Sequence, residues 1–323
     1  MRICMLGLGL VGGSIARAVV AGRDAQATVG RSSLVAWTPA GDGPRAALAA
    51  GLVDDVAPDL ARAVLGADLV VLAAPALATI GLLEELAGLG PSVLGPGMTV
   101  TDVASTKGAI VCRADELGLR FVGGHPMAGR ETAGFGASSV DLFVGRPWVV
   151  VPARHASAED IARVEWLATT CGAWPIRMEA AAHDAAAAAI SHAPLVVAAA
   201  LVEAVAGGPG ELAREDWGVA QALAAGGWRD MTRLARGDPA MGAGMLSTNA
   251  RAVAARLRDV RDRLDAWIAE LDATGGPDAD ALRDRLAADR AHALEAPRSN
   301  GIAEDRPDRQ SDGTAGDRPR RPA

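Results

Sequence analysis

The chain has 323 residues, half of them hydrophobic, which is enough for one large or two ordinary domains with a sizeable core. A net charge of −7 and a pI near 5.3 argue against nucleic acid as the main partner, because phosphate binding needs a basic face. Mean hydropathy is only +0.17, and the sequence suggests no run long and charge-free enough to be a membrane span. Residues 1–6 lead straight into glycines without a cleavage site, so we expect no signal peptide and a cytoplasmic protein. Cys4, Cys112 and Cys171 lack metal-ligand spacing and read as small buried hydrophobes, with no metal site.

In chain order, residues 3–7 form a short apolar run that stops at glycines, and residues 14–20 have helical periodicity. A second strand is expected at 33–37 and a second helix at 45–50, closed by Gly51. Residues 67–74 are continuously apolar and end at Pro75, as in a parallel strand buried on both faces. Further strands are expected at 99–103, 120–123 and 148–152, with a helix at 108–117. Strands alternating with helices imply a parallel sheet with right-handed crossovers. After about Pro175 strand signals fade and alanines dominate. Leu246, Val253, Leu257, Val260, Leu264, Trp267 and Leu271 recur at three-to-four spacing, which predicts one long amphipathic helix. The fold expected is an α/β N-terminal Rossmann-like domain plus an all-α C-terminal domain. Their bounds are placed at 1–175 and 176–296, followed by a tail at 297–323 too polar to order.

Gly7-Leu8-Gly9-Leu10-Val11-Gly12 matches G-x-G-x-x-G directly after a strand and at the start of a helix, the context that makes this motif informative. Gly7 permits the tight turn, Gly9 the approach of a pyrophosphate, and Gly12 helix–strand packing. Leu10 and Val11 present helix N-terminal N–H groups to phosphate. Thr38 at the end of the second strand, and Ala74-Pro75 at the end of the third, complete the expected cofactor-binding set. An acidic residue for a ribose 2′-hydroxyl is missing near Trp37-Thr38. Thr38 would not repel a 2′-phosphate and Arg45 lies downstream, which tilts the reading towards NADP while leaving NAD or NADP open.

Three further segments carry polar residues that packing does not require. Ser105 and Lys107 follow a strand and are placed to face the cofactor, although Ser105 or Thr106 could equally cap the next helix. His125 is bracketed by Gly123-Gly124 and Pro126, as in a rigid loop holding one imidazole, the usual general base near neutral pH. In the helical half, Ser191-His192-Ala193-Pro194 and Gly226-Gly227-Trp228-Arg229-Asp230-Met231-Thr232-Arg233 break an apolar, alanine-rich background.

Taken together, G-L-G-L-V-G-G-S, D-V-A-S-T-K, G-G-H-P-M-A-G-R-E-T-A-G, I-S-H-A-P-L and G-G-W-R-D-M-T-R resemble the prephenate/arogenate dehydrogenase family from Met1 to about Leu271. The resemblance implies oxidative decarboxylation of prephenate by NAD or NADP in tyrosine biosynthesis, with arogenate or 4-amino-4-deoxyprephenate as alternative substrates. It implies His125 as catalytic base and Ser105 as its hydrogen-bonding companion. Arg233 would bind a substrate carboxylate, with Ser191, His192, Gly226, Asp230 and Glu131 around the substrate. It also implies a homodimer built from the helical domains. Two positions depart from the pattern: Leu195 stands where a second histidine is common, and Gly242 where a tryptophan often follows D-P. The choice between a keto-acid and an amino-acid substrate therefore stays open. A β-hydroxyacid dehydrogenase would need a catalytic lysine, and residues 179–271 contain none. A dinucleotide-binding sensor would not need His125, Ser105 and Arg233 together.

Overall fold

A computed structural model describes residues 1–25, 32–130, 132–208, 210–211 and 214–295. The expected tail and Glu131 lie outside the described residues. The N-terminal portion runs β1 (Arg2–Leu6), α1 (Leu10–Ala25), β2 (Ser33–Trp37), α2 (Asp42–Ala49), β3 (Asp55–Val56), α3 (Leu60–Val64), β4 (Leu69–Leu72) and α4 (Ala76–Gly88). It continues with β5 (Thr99–Asp102), α5 (Gly108–Glu116), β6 (Phe121–Pro126), β7 (Pro147–Pro152), α6 (Ala158–Thr170) and β8 (Trp174–Arg177).

Among the described residues the strands form one sheet in the order β3-β2-β1-β4-β5-β6-β7-β8, with every pair parallel except β6–β7. Leu6 pairs with both Trp37 and Leu72, and Leu72 pairs with Asp102, so the carboxyl ends of β1, β2, β4 and β5 stand level. The strand order reverses at β1, which opens the crevice where this architecture binds ligands.

The central strands read as unbroken apolar runs because both their faces are covered. Ile3, Met5, Leu34, Leu69 and Val71 point into one cluster with Ile15 of α1 and Leu167 of α6. Cys4, Leu6, Val35, Val70, Leu72 and Phe121 point into the other with Leu83 of α4 and Ile110 of α5. Each large side chain so buried contributes roughly 1.5–3 kcal/mol. Cys4 and Cys171 are buried as expected, whereas Cys112 is exposed on α5.

The helical portion comprises α7 (Ala180–Ala187), α8 (Ala193–Ala206), α9 (Trp217–Leu223), α10 (Gly226–Met231), α11 (Pro239–Thr248), α12 (Ala250–Leu271) and α13 (Ala279–Leu294). A π-helical turn, Ala188–His192, joins α7 to α8 without a break. The resulting helix, Ala180–Ala206, is long and apolar enough to cross a membrane by length and composition, contrary to the sequence expectation. Its buried His183, Asp184 and His192 instead face polar partners within the protein. The predicted long helix starting at Leu246 is divided, because Asn249 adopts a non-helical conformation (φ −125°, ψ 25°) between α11 and α12.

The described residues divide into two compact units, one ending at Asp262 and the other beginning at Arg263. In the second, Arg285 bonds Glu270 at 2.6 Å and stacks 3.7 Å over the Trp267 ring, while Leu264, Ile268, Leu271 and Leu286 stay exposed.

Candidate active site

The glycine loop has the shape that its sequence requires. Gly7 has φ +110°, and a Cβ there would strike the Ala73 carbonyl; a Cβ at Gly12 would strike the Gly7 carbonyl. At Gly9 a Cβ would meet nothing within 4 Å, so the missing side chain leaves open space above the loop. The first turn of α1 contains no acidic residue to compete with an anion for its N–H groups. An open cradle at a helix N-terminus fits a dinucleotide pyrophosphate. Thr38 follows β2 and its hydroxyl accepts the Gly41 N–H at 2.9 Å. Arg45 lies against Gly41 and is paired with Asp42 at 2.5 Å. Ala74 and Pro75 sit where β4 ends and α4 begins, beside the glycine loop.

Lys107, the one lysine of the sequence, does not face the crevice as the sequence suggested. It is fully buried and ion-paired with fully buried Asp102. Burial pulls the Lys107 ammonium below its ordinary value, and Asp102 and Asp184 oppose that pull. Asp102 also accepts the N–H groups of Ala104 and Gly124 at 3.0 Å each. The glycines before His125 make room for this pair: a Cβ at Gly124 would stand 2.5 Å from the Asp102 carbonyl.

His125 lies within β6, paired with Val149 of β7, and not in a loop beyond the strand. Its Nδ1 is 2.8 Å from Nε2 of His183, and the two rings meet edge to face. His183 Nδ1 is in turn 2.8 Å from Oδ1 of Asp184. Asp184 also accepts the backbone N–H groups of Lys107 and Gly108, at 2.8 Å each. These bonds outweigh burial and hold the Asp184 carboxyl below the usual carboxylate value. Burial, then the positive charge of Lys107 and the neighbouring His183 and His192, push His125 well below the usual histidine value. That shift favours the neutral form of the imidazole. Ser105 is half-buried after β5, one strand away, but the hydrogen-bond partner of the His125 ring is His183.

His192 is fully buried, and Asn249 donates its amide to Nδ1 of His192 (3.1 Å) and to the Asp184 carbonyl (2.8 Å). The Nε2–H that remains on the neutral ring has no partner among the described residues. The π turn is what brings His192 to this face. Residues nine apart on an ideal helix point roughly 180° away from each other, and one inserted residue cuts that to about 80°.

Other predicted substrate residues are more open. Ser191, Gly226, Asp230 and Arg233 are exposed on the helical portion. Leu195 and Gly242, the two departures from the expected pattern, are neighbours: a Cβ on Gly242 would stand 3.5 Å from Leu195 Cδ2. A polar cleft of about 340 Å³ lined by Met127, Arg130, Asp141 and Arg146, among others, does not include His125. Sequence reasoning missed His183, Asp184 and Asn249. The available signal was a His-Asp pair interrupting an alanine run, two polar residues that an apolar helix does not need.

The chain is similar to several known proteins. Residues 38–176 match the family model for the prephenate dehydrogenase nucleotide-binding domain, and residues 179–287 that for the prephenate dehydrogenase dimerization domain. The chain is 33% identical to a prephenate dehydrogenase of Bacillus subtilis (strain 168) over 274 residues, covering 84% of this chain and 68% of the relative. It is 31% identical to the structure of Synechocystis arogenate dehydrogenase, with a TM-score of 0.72 over 91% of this chain and 100% of that one. An Aquifex aeolicus prephenate dehydrogenase in complex with hydroxyphenyl propionate and NAD+ shares the fold, with a TM-score of 0.76 at 23% identity over 91% and 98% of the two chains. The chain belongs to the prephenate dehydrogenase family.

Proposed function

We propose that this protein is a cytoplasmic, NAD(P)-dependent prephenate dehydrogenase that makes 4-hydroxyphenylpyruvate for tyrosine synthesis. The observation that carries the reading is His125: an imidazole at the carboxyl end of β6, held through Nδ1, on a sheet whose glycine loop fits a dinucleotide. Bound NAD(P) supplies the acceptor for a hydride from C4 of the substrate. His125 takes the proton of the C4 hydroxyl, the bond from C1 to the carboxylate breaks, its electron pair completes the aromatic ring as carbon dioxide leaves, and the phenolate oxygen so formed takes the proton back from His125. Ser105 hydrogen-bonds the same hydroxyl, and the unpartnered Nε2–H of His192 serves as a donor to the substrate. Arg233 binds a substrate carboxylate through its planar guanidinium fork. Ser191, Gly226, Asp230 and Glu131, the last outside the described residues, complete the substrate side.

Gly7, Gly9, Leu10, Val11 and Gly12 hold the pyrophosphate, with Thr38, Ala74, Pro75 and Ser105 around the rest of the cofactor. Residues 1–175 form the dinucleotide-binding domain and 176–296 the substrate and dimerisation domain. A homodimer covers Ile190, Val219, Leu223 and Met231, apolar side chains left exposed in the helical portion. Reduced-cofactor formation at 340 nm, crossing prephenate and arogenate with NAD and NADP, tests the reading. Turnover of prephenate supports it, turnover of arogenate alone moves it to the amino-acid substrate, and silence in all four with cofactor bound overturns it.

A further inference from the structure

The hydrogen bonds behind His125 have a direction. Asp184 is a carboxylate that accepts from two backbone N–H groups, so it can only accept from His183 as well. When His183 carries a single ring proton, that proton lies on Nδ1 facing Asp184, and Nε2 offers its lone pair. That lone pair is 2.8 Å from Nδ1 of His125. A neutral imidazole carries one ring proton, and an acceptor at Nδ1 draws it there.

We propose that His183 and Asp184 are positioning residues that fix the His125 proton on Nδ1 and so leave the Nε2 lone pair to receive the substrate proton. The relay rests on the reading of His125 as the base. It also ties that base to the frame of the sheet. Asp184 is anchored by Lys107 and Gly108 at the N-terminus of α5, where an anion is favoured by the helix dipole. When His125 takes up a proton, the imidazolium finds a chain of acceptors ending in a carboxylate, which stabilises the charge without moving a heavy atom. The groups facing His125 are His183 and His192 from the helical portion, Lys107 from the start of α5, and behind them Asp102 and Asp184. Lys107 raises the potential at the imidazole, and Asp184 opposes it through His183.

The test uses ¹⁵N-histidine-labelled full-length protein, whose five histidines give resolvable ring signals. The spectrum of the wild type at neutral pH is expected to show His125 protonated on Nδ1. His183→Leu removes the acceptor and is expected to release His125 to the other tautomer and lower kcat at least about tenfold, with KM little changed. His183→Gln can still accept from His125 through its carbonyl and donate to Asp184 through its amide, so it should restore the tautomer and most of kcat. Both variants keep the bonds from Asp184 to α5. A wild-type His125 protonated on Nε2, or a His183→Leu protein with unchanged tautomer, kcat and pH profile, would overturn the relay. Failure of the underlying reading looks different: His125→Asn would then turn over normally whatever the tautomer spectrum shows.

Discussion

The side chain of Lys107 passes so close to Gly123 that a Cβ there would stand 2.9 Å from Lys107 Cδ. Gly123 and Gly124 precede the proposed base, and both serve the buried Lys107–Asp102 pair. Gly123→Ala should force Lys107 to shift and cost about 1–3 kcal/mol, the usual price of overpacking a filled core. Urea denaturation would show a lower midpoint at unchanged slope; an unchanged midpoint would mean that Lys107 has room to move.

Removing one member of a buried ion pair leaves the other charge stranded. Lys107→Met is expected to destabilise the protein by about 3–5 kcal/mol, although methionine fills a similar volume. Two hydrogen bonds from Ala104 and Gly124 soften the loss at Asp102, which sets the lower end of that range. Thermal unfolding of the variant beside the wild type measures the difference.

His125→Asn should retain cofactor affinity and lose turnover by about a hundredfold or more, the usual size for a lost general base. Cofactor titration by fluorescence and steady-state kinetics separate the two effects. Loss of both together would point to a collapsed site in place of a missing base.

The pH dependence has a definite sign. His125 and His192 are both held below the ordinary histidine value, chiefly by burial. Their unfolded counterparts take up protons near pH 6.5. Below that pH the unfolded chain binds more protons than the folded one, so stability falls as pH drops towards the folded-state values and is fully present above about 6.5. The base stays neutral over the same range, so the acid limb of kcat/KM should lie below the usual histidine value. Denaturation midpoints and kinetics from pH 5 to pH 8, expressed as about half-unit steps, check both slopes.

The glycine loop separates folding from binding. Gly7→Ala meets a φ of +110° and the Ala73 carbonyl, and should destabilise the sheet edge of the crevice. Gly9→Ala meets nothing within 4 Å, so it should fold normally yet weaken cofactor binding roughly tenfold or more by filling the phosphate space. Equal thermal stability with unchanged cofactor affinity in Gly9→Ala would remove Gly9 from the cradle.

What the sequence determined by itself was whatever lies within a few residues along the chain. The strand–glycine–helix cradle at Gly7–Gly12 is such a unit, because its turn, its N–H groups and its phosphate space come from one contiguous segment. The alternation of apolar runs with helices was legible for the same reason, since strands buried on both faces announce themselves locally. His125 was legible as a polar residue at a strand end, though the extension of β6 through it depended on pairing with β7.

The tertiary structure decided what those local pieces touch. Lys107 was expected in the crevice, and packing turned it inward onto Asp102, a choice that depends on the space left by Gly123 on the neighbouring strand. His183 meets His125 across 58 residues, Asp184 meets Lys107 across 77, and Asn249 meets Asp184 across 65. No local pattern encodes such pairings, because each needs two elements to be docked before either side chain has its partner. The π turn that rotates His192 onto the same face is also a product of that docking: its wider turn is retained where buried hydrogen bonds from Asn249 reward it.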